Sequence, residues 1–506
     1  MRVPLAQYPG MNRFVLDWMN GDERFLRRGA PSLRGAGGTA GGAPAPRRAG
    51  LAAALKESNR QWGIFAGEQL EKWSSGGTLT IIAGQQVGFA GGPLYTLAKL
   101  ASLVRFKRDM EKQGLPVTAF FWLATEDHDF DEVASLNVPV ATLPKEKDVN
   151  RQLDLLCMRA IRTTDSRRVV GSLPVPEPLI AQLLALYDIP RPTWLREGIT
   201  FRDSFAELIA AAFGSEVILV DALLPELRRA GEPLFRDIEA RRDELQSALQ
   251  ARSQQLEAAG YEAQVKKTDG EYTLLYELDE AENRQAPTAN RQPEKTSTSA
   301  LTRPLLQDYL FQPDIFLGGP AEVAYYAQIS PLHDLLGISM PRVALRGHVL
   351  VAPKRIERAF ERCGIEPEEV FQSADAILAD KEPEAVTRVR TIAEAAKREL
   401  LERIEDINEI ALPADHSLAG SIQRSIGHLE YHFDKLSERA IKALVRKDRE
   451  RYAATRDVVA TLYPDRHVQD RVVSWFAYWC QHGRHLVDRV VEEVEPDSEY
   501  FRIVSV

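Results

Sequence analysis

The chain has 506 residues, 44% hydrophobic and 27% charged, with a formal net charge of −9. At roughly 100–200 residues per domain, this length predicts about three structural units with a sizeable core and excludes global disorder. The acidic balance argues against a dedicated nucleic-acid binder, which needs clustered Lys and Arg, although a few local arginines suffice for a small anionic substrate. Three cysteines, Cys157, Cys363 and Cys480, lie more than a hundred residues apart, a spacing that fits neither a metal site nor a disulfide framework. They read as incidental thiols of a reducing compartment. No run of about 18 apolar residues occurs, so no membrane span is expected. The opening MRVPLAQYPGMNRFVLDWMNG lacks a basic leader followed by an apolar core, so no secretory signal is expected and the expected location is cytoplasmic.

Along the chain, residues 1–76 read as a helical segment interrupted by a low-complexity loop at 27–48, where Gly, Ala, Pro and Arg dominate. TLTIIA, from Thr78, is a short β-branched strand apolar on both faces, as in a parallel sheet. The Gly-rich loop GQQVGFAGG follows, then a helix with Leu94, Leu97, Ala98, Ala101, Val104 and Met110 near helical spacing, entered at Pro93 and ended at Gly114. VTAFFWLA, from Val117, is a second buried strand, so this stretch is a βαβ unit with a right-handed crossover. Further strands are expected at Ser215–Asp221, Glu271–Leu278, Asp314–Gly319 and PRVALRG. One long polar helix is expected from Leu224 to about Ala259, and another helix, interrupted or bent at Pro331, after Gly319. Beyond about Pro383, Val386, Val389, Ala393, Ala396, Leu400, Ile404 and Ile407 recur at three- and four-residue steps. Leu418, Ile422, Ile426, Leu429, Phe433, Leu436, Ala440 and Leu444 do the same after Pro413, which predicts an antiparallel helical hairpin or coiled coil serving as a dimerisation arm. The expected units are therefore 1–76, a first core part at 77–223, a helical insertion at 224–270, a second core part at 271–375, the coiled-coil arm at 376–465 and a C-terminal helix at 466–506.

Three clusters carry candidate chemistry. In the first, Gln85, Gln86, Gly88, Gly91, Gly92, Pro93 and Tyr95 surround a loop whose glycines let backbone approach a ligand. It has neither the GxGxxG nor the GxxxxGK[ST] spacing. The second, Glu126, Asp127, His128, Asp129, Asp131 and Glu132, puts five carboxylates and a histidine after a parallel strand, where open α/β sheets bind ligands. Such a group would bind an ammonium or a cation, or deprotonate an attacking amine. Of these, Glu126, Asp127, His128 and Asp129 are the candidate catalytic residues. The third comprises Gly318, Gly319, Pro320, Glu322 and Tyr325, with Arg303, Arg342 and Arg346 suited to carboxylate recognition. No dedicated metal motif appears.

AGQQVGFAGGPLYTLAK, FFWLATEDHDFDE, TRPLLQDYLF and FLGGPAEVAYYAQ, in that order, resemble the bacillithiol biosynthesis cysteine-adding enzyme family, BshC, from about Arg13 to the C-terminus. The resemblance implies an α/β fold: a Rossmann-like doubly wound parallel-sheet core with inserted connecting-peptide segments, and a C-terminal α-helical coiled-coil domain used for homodimerisation. It also implies a cysteine ligase acting on cysteine and glucosaminyl-malate. The H-I-G-H and K-M-S-K-S motifs of class I aminoacyl-tRNA synthetases, a similar architecture, are absent; Gly92-Pro93-Leu94-Tyr95 stands in the place of the first. Amide formation from a free carboxylate needs activation, so ATP is the expected co-substrate, with Mg²⁺. The competing readings are a nucleotidyltransferase-like enzyme for another amino sugar and a non-catalytic dimeric ligand-binding protein.

Overall fold

The structure is a computed structural model that describes residues 1–28, 45–143, 155–162, 164–268, 270–288, 291–379 and 384–506. Most of the loop expected at 27–48 lies outside the described residues, and from Ala45 the chain is helical (Ala45–Gln61). Five parallel strands form the central sheet: β1 (Leu79–Gln85), β2 (Val117–Leu123), β3 (Ile218–Asp221), β4 (Ile315–Gly318) and β5 (Arg342–Leu345). Their order is β5-β4-β1-β2-β3, and it reverses between β1 and β4, which opens a crevice at the carboxyl ends of those strands. Runs such as Thr-Ile-Ile-Ala and Ala-Phe-Phe-Trp-Leu are buried throughout, because helices cover both faces of a parallel sheet. Helix α1 (Leu94–Glu111) makes the crossover from β1 to β2. At the β3 edge, buried Asn59 bonds both the N–H and the C=O of Leu219, at 2.8 and 2.7 Å, closing an edge that would otherwise be open.

Three expectations change. The segment Leu224–Ala259 is two helices, α2 (Pro225–Ala240) and α3 (Arg242–Ala258). Arg241 leaves helical geometry between them, and its guanidinium bonds the Leu335 carbonyl. The Glu271–Leu278 segment does not join the parallel sheet. Only Leu275–Leu278 is a strand, and it pairs antiparallel with Arg284–Gln285 and Thr296–Thr298. Helix α4 (Arg303–Phe311) follows, and α5 (Pro320–Leu335) then runs through Pro331 without interruption. A proline deprives the carbonyl four residues earlier of its donor. Here that carbonyl, on Ala327, accepts from Arg252 Nη1 at 3.0 Å and Ser330 Oγ at 3.1 Å instead.

The chain divides into two compact units, residues 1–352 with 464–506, and residues 353–463. The second begins ahead of the expected 376, because the helix Lys354–Cys363 packs on the long helix Ala419–Leu462 of the arm. That arm is a hairpin of α6 (Glu384–Ala411) and α7 (Ala419–Leu462), tied by Lys397 to Asp434 at 3.3 Å and Glu430 at 3.7 Å. Ile392, Ile407, Ile410, Leu429 and Leu436 stay exposed on it. Residues 464–506, expected as one helix, belong to the first unit as three short helices, Gln469–Val472, Phe476–His482 and Arg484–Glu493, and a strand, Tyr500–Ser505, that pairs with His348–Ala352 and Arg2–Pro4. Among the described residues, no helix is long and apolar enough to cross a membrane.

Candidate active site

A cleft of about 520 Å³ lies at the carboxyl ends of β1, β2 and β4. Of the residues expected from sequence, Gln85, Gln86, Tyr95, Glu126, Asp127, His128, Arg303, Gly319, Pro320, Glu322, Tyr325 and Arg346 line it. Asp129, Gly318 and Arg342 do not, and Arg342 is spent on Asp497 at 2.8 Å. Gly88, Gly91, Gly92 and Pro93 also stand outside it. Their glycines serve packing: Gly91 has φ +84°, and a Cβ there would sit 2.4 Å from the indole nitrogen of Trp475, which donates to the Gly91 carbonyl at 3.0 Å. Just beyond, the Leu94 N–H at the start of α1 is taken by the Val473 carbonyl at 2.8 Å. The β1–α1 turn is thus closed by the chain itself.

The acidic wall follows β2, and its members have separate duties. Glu126, 4% exposed, accepts from Ser297 Oγ, Thr298 N and Thr298 Oγ1 at 3.0, 3.2 and 2.5 Å, and Arg228 lies 3.7 Å away. Its lone pairs hold the small antiparallel sheet over the cleft. Asp127 accepts from Gln86 Nε2 and the His128 N–H, both at 2.7 Å, and lies 3.7 Å from Arg284. Burial pushes its carboxyl up, but the adjacent His128 side chain, then the Arg284 charge and the bonds from Gln86 and the Asp129 N–H, outweigh that and hold it well below the usual carboxylate range. Glu132 lies at the mouth. Although its side chain reaches solvent, partial enclosure and then the charges of Asp129 and Asp127 push it up.

The opposite wall belongs to β4, β5 and the C-terminal segment. Arg346, 3% exposed, pairs with buried Asp470 at 3.0 Å and lies over the Tyr95 ring. The Tyr95 hydroxyl is pushed up to about 12 by burial and then by Glu132. Arg303 donates to Tyr325 Oη at 2.6 Å, and exposed Arg471 adds a third guanidinium. Between the walls, buried Lys99 donates to the Gly84 carbonyl, Gln85 Oε1 and Glu322 Oε2 at 2.7, 2.9 and 2.5 Å. Burial pushes its ammonium down, opposed by Glu322. Glu322 also accepts the Gly319 N–H at 2.7 Å.

Sequence reasoning missed Lys99, Arg284, Tyr276, Thr298 and Arg471. Of these, Lys99 left a trace, a charge in the middle of the apolar stretch LYTLAKLASL. Among the described residues, no three of His, Cys, Asp and Glu converge to hold a metal ion.

The profile of the bacillithiol biosynthesis BshC N-terminal Rossmann-like domain matches residues 39–288 and 280–347, and that of the BshC C-terminal coiled-coil domain matches 349–506. A protein of Koribacter versatilis (strain Ellin345) is 30% identical over 466 residues, 85% of this chain and 84% of its own. One of Solibacter usitatus (strain Ellin6076) is 27% identical over 495 residues, 91% and 90% of the two chains. One of Geobacillus thermodenitrificans (strain NG80-2) is 26% identical over 512 residues, again 91% and 90%. Each carries the name "Putative cysteine ligase BshC". With both domain profiles matched and the cleft at the Rossmann switch point, the chain belongs to the bacillithiol biosynthesis BshC family.

Proposed function

We propose that this chain is a cytoplasmic cysteine ligase that joins the carboxyl of cysteine to the amine of glucosaminyl-malate, completing bacillithiol. The observation that carries this reading is the division of charge in one cleft. Asp127 and Glu132 stand on the β2 side, and Arg303, Arg346 and Arg471 on the β4–β5 side, with β1 between them. A substrate with an amine at one end and a dicarboxylate at the other fits that polarity, guanidinium groups being matched to carboxylates. Arg346 and its neighbours take the malate end, and the amine lies against the acidic wall. Glu132 accepts the proton that the amine loses, since the acceptor atoms of Glu126 and Asp127 are already engaged.

ATP enters as a co-substrate that activates the cysteine carboxylate, with Mg²⁺ on its phosphates. The closed β1–α1 turn does not fit a phosphate cradle, so no described residue is assigned to the nucleotide. Purified protein given glucosaminyl-malate, cysteine, ATP and Mg²⁺ is expected to yield the cysteinyl product by mass spectrometry, and none without ATP. Product without ATP would discard the activation step, and no product from folded protein would discard the ligase reading.

The exposed isoleucines and leucines of the hairpin support a homodimer through that arm, because so many large apolar side chains on one hairpin are costly to leave in water. Ile407, Ile410 and Leu436 are 57%, 80% and 64% exposed. The triple replacement I407D/I410D/L436D is expected to convert a dimer to a monomer in light scattering at micromolar concentration. A wild-type monomer, or an unchanged dimer in the variant, would remove the arm from this role.

A further inference from the structure

His128 sits in the acidic wall, where a histidine invites the role of general base. Its contacts assign it differently. Arg284, 8% exposed, is fixed by three bonds: Nε to Ser297 Oγ at 3.3 Å, Nη2 to the Thr298 carbonyl at 3.0 Å, and Nη1 to His128 Nδ1 at 3.1 Å. Its guanidinium lies 4.7 Å from the Tyr276 ring centre. A guanidinium only donates, so the nitrogen it meets must carry a lone pair. Asp127 Oδ1 is the other neighbour of Nδ1, at 3.5 Å, the limit of a hydrogen bond, and it already accepts the His128 N–H at 2.7 Å and the Asp129 N–H at 3.2 Å.

We infer that Arg284 is a positioning residue that holds His128 in its Nε2–H form, so that the imidazole presents a hydrogen-bond donor, not a base, to the cleft. His128 lines the cleft and its side chain is 42% exposed, so with Nδ1 engaged by Arg284 the ring's other nitrogen is the end left to meet a ligand. The consequence, which rests on the ligase reading, concerns the oxygen of the cysteine carboxyl. As the amine nitrogen bonds to the activated carbon, negative charge builds on that oxygen. The leaving group then departs with the electron pair of the broken C–O bond, and the amine proton passes to Glu132. His128 Nε2–H donates to the charged oxygen and transfers no proton. The antiparallel insertion is thereby part of the chemistry: it carries Arg284 and the Ser297 and Thr298 groups that aim it.

Two measurements test this. In protein labelled with ¹⁵N-histidine, the His128 signals, identified by their loss in H128Q, are expected to show an unprotonated Nδ1 and a protonated Nε2 at neutral pH. A protonated Nδ1, as a single tautomer donating to Asp127 or as imidazolium, would overturn the assignment. This readout stands whether or not the protein is a ligase. For turnover, a glutamine amide places an N–H near the Nε2 position, whereas asparagine reaches only the Nδ1 position. Loss of such a donor costs about 10²–10³-fold in kcat. H128Q is therefore expected to retain activity within about tenfold of wild type, and H128N and H128A to fall by about a hundredfold. Equal loss in H128Q and H128A, or rescue by H128N alone, would overturn the donor role. A wild-type protein without ligase activity would remove the ligase reading and leave the tautomer result standing.

Discussion

Glu132→Gln is expected to lower kcat by about 10²–10⁴-fold while leaving the fold intact. Four groups of the acidic wall compete for the role of base, and three are otherwise occupied. Glu126 spends its oxygens on Ser297 and Thr298. Asp127 is held ionised by the His128 side chain, Arg284 and Gln86, which makes it a weak proton acceptor. His128 has its bare nitrogen turned to Arg284. Glu132 alone has a carboxyl pushed up, by partial enclosure and by Asp129 and Asp127, toward a range where it accepts a proton readily. The base acts only when ionised, so activity is lost as pH falls through its pKa. Because that pKa lies above the ordinary value of about 4.3, the acid limb of kcat/KM is expected at higher pH than for a free carboxylate. The measurement is a pH–rate profile of wild type and E132Q. Wild-type turnover in E132Q, or an acid limb at the ordinary carboxylate value, would move the role to another group.

How much of this was legible in the sequence depended on whether the signal was local. The strands Leu79–Gln85 and Val117–Leu123 announce themselves, since β-branched and aromatic runs buried on both faces occur where helices cover a parallel sheet. The hairpin helices were equally plain from three- and four-residue apolar spacing. The five apolar residues within Glu271–Leu278 looked the same as a core strand, because a short apolar run does not say which sheet it joins. Glycines announced a close approach near Gly91 without saying of what; the partner is Trp475, 384 residues away. The groups that define the cleft are similarly distant. Arg284 stands 156 residues from His128, and Arg471 arrives on the segment that returns after the arm. A histidine beside carboxylates read only as one member of a catalytic cluster, because the arginine that meets its ring comes from an insertion whose place no local pattern reveals.

The second large effect is on stability. Lys99→Met is expected to destabilise the Rossmann unit by about 3 kcal/mol, near the lower end of the range for breaking a buried ion pair. Lys99 is 2% exposed and joins the end of β1, through Gly84 and Gln85, to Glu322 on the first turn of α5. Methionine matches its length, so the packing of the stem survives. What is lost is the donor, and with it Glu322 Oε2, the Gly84 carbonyl and Gln85 Oε1 lose their shared partner. The lower end applies because the Glu322 side chain is 19% exposed and keeps the Gly319 N–H, so water and backbone offset part of the loss. The E322Q/K99M double variant, which removes the uncompensated charge as well, is expected to recover about half of that difference, since contacting residues are coupled and not additive. Urea midpoints at constant slope measure both. If K99M were as stable as wild type, desolvation of the ammonium would equal everything its three bonds return. The lysine would then be retained for the alignment of β1 with α5 across the cleft, and the loss would appear in turnover alone.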